Sequence, residues 1–213
     1  MNRPVLIIPG WGEDAHLLHP TIELVKELGV DDIAFVADSD SLISDARSIL
    51  EAWGRPAIVI AHSKGAIDAF IIAQCCPDLV SQLILACPAG LTRPSLLRLI
   101  FRFAIKCIAS RPRQLVTAIR YTRLAPKRAL WRDTKTIVNG TSTELIHEIL
   151  GNDISVIVLA SEKDRLFPLK EIQSWVNAAG LTELIRVVPV PGVHDAIHLK
   201  PDAYRRVLSQ LLP

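Results

Sequence analysis

Short, unbroken apolar runs recur along the chain with longer stretches of mixed spacing between them. The runs at 5–9, 33–37, 57–61, 82–87, 156–160 and 184–190 do not alternate with polar residues, the pattern of strands covered on both faces in a parallel sheet. Stretches 17–28, 42–53, 64–76, 169–179 and 202–212 carry helix-forming residues at helical spacing, with Gly29, Gly54, Pro77 and Gly180 as stops. Strand and helix in alternation predict a doubly wound α/β fold with a mostly parallel sheet.

One stretch interrupts this rhythm. About sixty residues after Pro88 show helical patterning and no convincing strand before Val156, which predicts a helical lid inserted at about 92–150 in a single domain spanning 1–213. Within it, residues 95–109 form an apolar helix on which Arg98, Arg102 and Lys106 repeat every fourth residue. Its apolar residues, among them Leu96, Leu97, Leu99, Ile100, Phe101, Phe103 and Ile105, suit a channel for an acyl chain.

Charge changes this picture. The 213 residues carry a formal charge of only +2, yet between Thr92 and Leu150 twelve Lys or Arg face three acids, a local +9. The remainder carries −7, so part of the surface is suited to an acidic partner. With 50% apolar and 22% charged residues the chain has material for one large core and no signature of extensive disorder. No apolar run reaches the length of a membrane span, and the N-terminus lacks secretory-signal features, which predicts a cytoplasmic protein. Adjacent Cys75 and Cys76 and strand-borne Cys87 read as small apolar residues, not as a disulfide framework.

The candidate chemistry sits at strand ends. Residues 58–66, I-V-I-A-H-S-K-G-A, describe a buried strand that delivers Ser63 at a sharp turn into a helix, with small Ala61 and Gly65 where the two backbones approach. A serine needs a base to become a nucleophile. His194 follows the last predicted strand, Asp164 the one before it, and loops at the carboxyl ends of parallel strands share one sheet edge. Among the alternatives, His62 is expected to face away from the serine, His198 to sit at a helix start or surface, and His16 and His19 to be structural. Glu162 and Asp195 are the rival acids, and Asp133 is placed too far off in the lid. The scattered histidines and the absence of Cys-x-x-Cys or His-Glu-x-x-His spacing predict no metal site, and no phosphate-cradling glycine motif occurs. Neither a cofactor nor a nucleic-acid partner is expected.

With Ser63, Asp164 and His194 in that order, the chain resembles the α/β-hydrolase superfamily over nearly its whole length. Ala61 stands where glycine is commoner in the elbow, and Pro9-Gly10-Trp11-Gly12 where His-Gly is usual in the oxyanion loop. The family's first two strands have no counterpart, implying a trimmed sheet of about six. The resemblance implies a Ser63–His194–Asp164 triad hydrolysing a carboxylic ester, with an oxyanion hole from the backbone N–H groups of Trp11 and Lys64. The Lys64 ammonium is expected in solvent. Gly10-Trp11-Gly12, the basic lid and the short chain resemble the pimeloyl-carrier methyl esterases of biotin synthesis. That likeness implies substrate or acyl carrier protein contacts at Trp11, Arg98, Arg102 and Arg123. An acyl thioesterase, a lipase whose greasy basic helix touches an anionic membrane, and a non-catalytic module docking an acidic partner are the competing expectations.

Overall fold

The computed structural model describes residues 3–109 and 127–212, with the side chains of 103–109 and 127–130 left aside. Six strands, β1 (Val5–Ile8), β2 (Ile33–Phe35), β3 (Ala57–His62), β4 (Val80–Ala86), β5 (Ser155–Ser161) and β6 (Ile185–Val190), pair in parallel in the order β2-β1-β3-β4-β5-β6. Each predicted strand is present within two residues of its expected bounds.

The uninterrupted apolar runs have the expected cause. Leu6, Ile8, Val59 and Leu85 face one core layer, whereas Val5, Ile7, Ile58, Ile60 and Ile84 face the other, because successive strand residues point to opposite sides. The first layer is covered by α2 (Leu42–Trp53), α3 (Gly65–Cys75) and α7 (Leu169–Ala178), and the second by α1 (Ala15–Glu27) and α9 (Asp202–Leu211). Helix α3 is apolar nearly all round, with Ala66, Ile67, Ala69, Phe70, Ile72 and Ala73 all buried, as a helix enclosed by neighbours must be.

The chain runs from β1 outward to β2 and then returns to place β3 on the other side of β1. Loops leaving β1 and β3 therefore diverge and open a crevice between their carboxyl ends, the position where open α/β sheets bind ligands.

Above that edge sit α4 (Leu96–Ala109) and α5 (Lys127–Asn139). The base of the insertion is pinched: the Thr141 amide donates to the Gly90 carbonyl at 2.8 Å. Helix α6 (Thr143–Gly151), inside the stretch assigned to the lid, packs on α3 with Ile146 and Ile149 fully buried. Its apolar face is satisfied by the body, so it is core and not cover.

Candidate active site

The turn after β3 has an unusual backbone. Ser63 has φ of 52°, a left-handed conformation that costs a non-glycine residue energy. Its amide donates to the Ala86 carbonyl at 3.0 Å, and its carbonyl accepts from the Ala66 and Ala89 amides at 3.1 and 2.9 Å, so the turn is held from both sides. Glycine is required at position 65: a Cβ there would stand 2.3 Å from the Pro9 carbonyl oxygen, where helix α3 crosses the end of β1.

The loops after β5 and β6 are tied together by backbone bonds from Glu162 to Val190 and from Lys163 to Gly192, both 3.0 Å. Gly192 has φ of 126°, and a Cβ would meet that of Ala196 at 2.5 Å, so the histidine loop folds back closely on the short helix α8 (Ala196–Leu199). These constraints bring three predicted residues together. The Ser63 hydroxyl lies 2.9 Å from His194 Nε2, and His194 Nδ1 lies 2.8 Å from Asp164 Oδ2. The other Asp164 oxygen accepts from the Leu166 and Phe167 amides at 2.7 and 3.1 Å. Burial alone would raise the Asp164 carboxyl, but the His194 imidazole and the two amides hold it below its ordinary value. An ionised Asp164 fixes Nδ1 as the protonated nitrogen and leaves the Nε2 lone pair facing the serine. Of the two rival acids, Glu162 is exposed and Asp195 is buried at the N-cap of α8, while His194 Nδ1 is taken by Asp164.

Trp11 and Ser63 line one cavity of about 280 Å³ together with His194, Glu13, Leu99, Ile100, Thr134, Ile137, Leu166 and Phe167. Lid helices α4 and α5 thus supply much of its apolar wall. Trp11 is the middle residue of the loop after β1: the Gly10 amide donates to Glu13 Oε2 at 2.5 Å and the Gly12 amide to Asp38 Oδ2 at 3.0 Å. The Lys64 amide stands at the N-terminus of α3, where the helix dipole favours negative charge.

Several expectations are corrected. The Lys64 ammonium does not reach solvent; it is buried 3.0 Å from Asp38 and 3.2 Å from Asp68, and burial, which would lower its pKa, is outweighed by these acids. Asp133, set aside as the triad acid, is buried and close enough to Lys64 to help hold that charge. Arg102 is not offered to a partner or substrate. It grips both Glu171 oxygens and donates to the Leu166 carbonyl at 3.0 Å, which fastens α4 to the body. Arg98 leans on Glu171 at 3.2 Å with 59% of its side chain exposed. Arg123 lies outside the described residues, as do the side chains of Phe103, Ile105 and Lys106.

The histidines are not scattered either. His62 is buried, and its Nε2–H donates to the His194 carbonyl at 3.0 Å, with the two rings 4.9 Å apart. His198 is buried beside it, whereas His16 and His19 are exposed on α1. Two sets of metal-ligating atoms, Glu13–His62–His198 and His62–Cys87–His194, each fall within 4.8 Å. In the first, His62 and Glu13 already bond each other at 2.6 Å. In the second, burial pushes the Cys87 thiol up to about 12. Glu13 is the residue that the sequence reading missed. No spacing rule marks it, because its partners lie 49 and 185 residues away.

No protein-family model matches this chain, and no curated protein does. Solved structures match across nearly all of it. A meta-cleavage product hydrolase from Pseudomonas fluorescens aligns at 18% identity over 98% of this chain and 89% of its own, with a TM-score of 0.67. A carboxylesterase structure from the thaumarchaeon Nitrososphaera gargenis aligns at 15% identity over 99% and 89%, with a TM-score of 0.66. An α/β-hydrolase enzyme from the metagenome of lagoon sediments in Morocco aligns at 12% over 99% and 90%, also at 0.66. The parallel six-stranded sheet, its strand order and these likenesses together establish that this chain has the α/β-hydrolase fold.

Proposed function

We propose that this protein is a serine hydrolase acting on carboxylic esters with an apolar acyl group. The observation that carries this reading is the continuous chain of contacts from Ser63 Oγ to His194 at 2.9 Å and from His194 to Asp164 at 2.8 Å, opening on a cavity with apolar walls. In this mechanism His194 Nε2 takes the Ser63 proton as the oxygen attacks the acyl carbonyl. Asp164 stabilises the imidazolium, and the histidine returns the proton to the leaving alcohol. Water activated by the same nitrogen then cleaves the acyl-enzyme and restores Ser63. The Trp11 and Lys64 amides receive the oxyanion, each lowering the barrier by about 3 kcal/mol because it is fixed before charge develops.

At about 280 Å³ the cavity is at the small end of ligand pockets, which favours short and medium acyl groups over long ones. Hydrolysis of p-nitrophenyl esters from acetyl to long acyl, by the native protein and by Ser63→Ala, tests the proposal. The expected result is a maximum at short or medium chains and a loss of about 10⁶-fold in kcat for the variant. Equal rates for the two proteins would refute the serine mechanism.

Delivery of the acyl group by an acidic carrier protein is a second reading. It is favoured by the exposed Arg98 guanidinium on the lid. Turnover of carrier-bound esters that is insensitive to salt and to Arg98→Glu would remove it.

A further inference from the structure

Beneath the triad lies a buried polar cluster that the mechanism above does not use. Glu13 follows the loop of Gly10 to Gly12, and its side chain is only 7% exposed. Its Oε2 accepts from the Gly10 amide at 2.5 Å and approaches His198 Nε2 at 3.2 Å. Its Oε1 accepts from His62 Nδ1 at 2.6 Å, and His62 Nε2 donates to the carbonyl of His194 at 3.0 Å. The Thr21 hydroxyl donates to the Ile197 carbonyl at 2.9 Å, so at 2.7 Å it must accept from His198 Nδ1, which turns Nε2 towards Glu13. One carboxylate therefore joins the oxyanion loop, the residue before the nucleophile and the main chain of the catalytic base.

We propose that Glu13 is a positioning residue, which through protonated His62 holds the oxyanion loop and the His194 loop in register around Ser63. This rests on the serine hydrolase reading above. Both nitrogens of His62 meet acceptors, so the full set of bonds exists only when both are protonated. Burial opposes that charge, but Glu13, with Asp195 further off, raises the His62 pKa above its ordinary value, while His62 and His198 hold Glu13 well below the carboxylate range despite its own burial. The rings of His194 and His198 and the Cys87 thiol are the other titratable neighbours of His62. When His62 loses its proton, one of its two bonds is lost, and the tie between the loops with it. A displacement of about 1 Å at reacting groups costs on the order of 100-fold in rate.

The test is the pH dependence of kcat and KM for a p-nitrophenyl ester with the native protein, Glu13→Gln and Glu13→Leu. Native kcat is expected to fall on the alkaline side as His62 deprotonates. Glu13→Leu removes the tie and should lower kcat by about 100-fold with KM within about threefold. Glu13→Gln can bond the Gly10 amide and a neutral His62, so it should lose about tenfold and show no alkaline fall, since His62 then carries no charge to lose. If Glu13→Leu does not fold, the Gln variant decides alone. Native-like kcat and pH profiles in folded variants would overturn the proposal, and so would an effect confined to KM, which would make Glu13 a substrate contact. An inactive native protein that resists serine-directed phosphonate labelling would instead refute the hydrolase reading, which separates the two failures.

Discussion

The two sides of the cavity are held by different physics. On the body side, Ser63, His194 and Asp164 stand on loops fixed by buried backbone bonds, by a close contact at Gly65, and by Glu13 and Lys64 pairing inside the core. On the lid side, α4 and α5 bring apolar walls on exposed helices, with Leu97 at 80%, Phe101 at 67% and Trp131 at 62% exposure. They are tied down by Arg102 to Glu171, by Arg132 to Asp40, and by the buried Asp133. Among the described residues the lid has fewer buried ties than the edge, so a change in its walls is expected to disturb the edge little.

This contrast can be broken most severely at the triad. Asp164→Asn preserves shape but lets His194 adopt the wrong tautomer, so kcat should fall by about 10⁴-fold with little change in melting temperature. Steady-state kinetics beside a thermal melt checks this, and a loss below tenfold would show that Asp164 is not the orienting acid.

Lys64→Met sits between the two regions. It leaves Asp38 and Asp68 buried without their cation and should cost about 3–5 kcal/mol, measured by urea unfolding. Because Asp38 also holds the Gly12 amide, kcat should drop along with stability.

Arg102→Ala tests the lid alone. Its side chain is 11% exposed and its guanidinium makes several charge-assisted bonds, so stability should fall by about 1.5–3 kcal/mol. KM for longer acyl esters should rise, while labelling of Ser63 by a small phosphonate keeps its native rate. A matching loss of labelling would show that lid and edge are mechanically one.

The smallest effect is expected at Asp40→Ala. Its pair with Arg132 is 82% and 57% exposed, and the loss should lie below about 1 kcal/mol and vanish in high salt.

Much of this architecture was legible from residue order. The strands after 57 and 156 and the helix at 42–53 could be read because apolar runs and glycine stops are local, and the elbow could be read because Ser63 and Gly65 adjoin in sequence. A cation in a helical stretch is usually solvated, and what decides otherwise is the acid beside it: Glu171 for Arg102, and for Lys64 both Asp68, four residues on, and Asp38, which the fold brings up. The pattern alone groups helix α6 with the lid, because an amphipathic pattern states that a face will be buried without stating against what.

The sequence by itself therefore determined the parallel sheet, the order of Ser63, Asp164 and His194 along the chain, and the sheet edge on which they meet, since each follows from short-range pattern and strand direction. Only the tertiary structure decided that Glu13, His62 and His198 form one cluster, that Lys64 is internal and that Arg102 is a fastening. Apart from the Lys64–Asp68 pair, four residues apart, these depend on contacts between residues tens to nearly two hundred positions apart, where the cost of burying a charge is set by the partner that arrives from elsewhere in the chain.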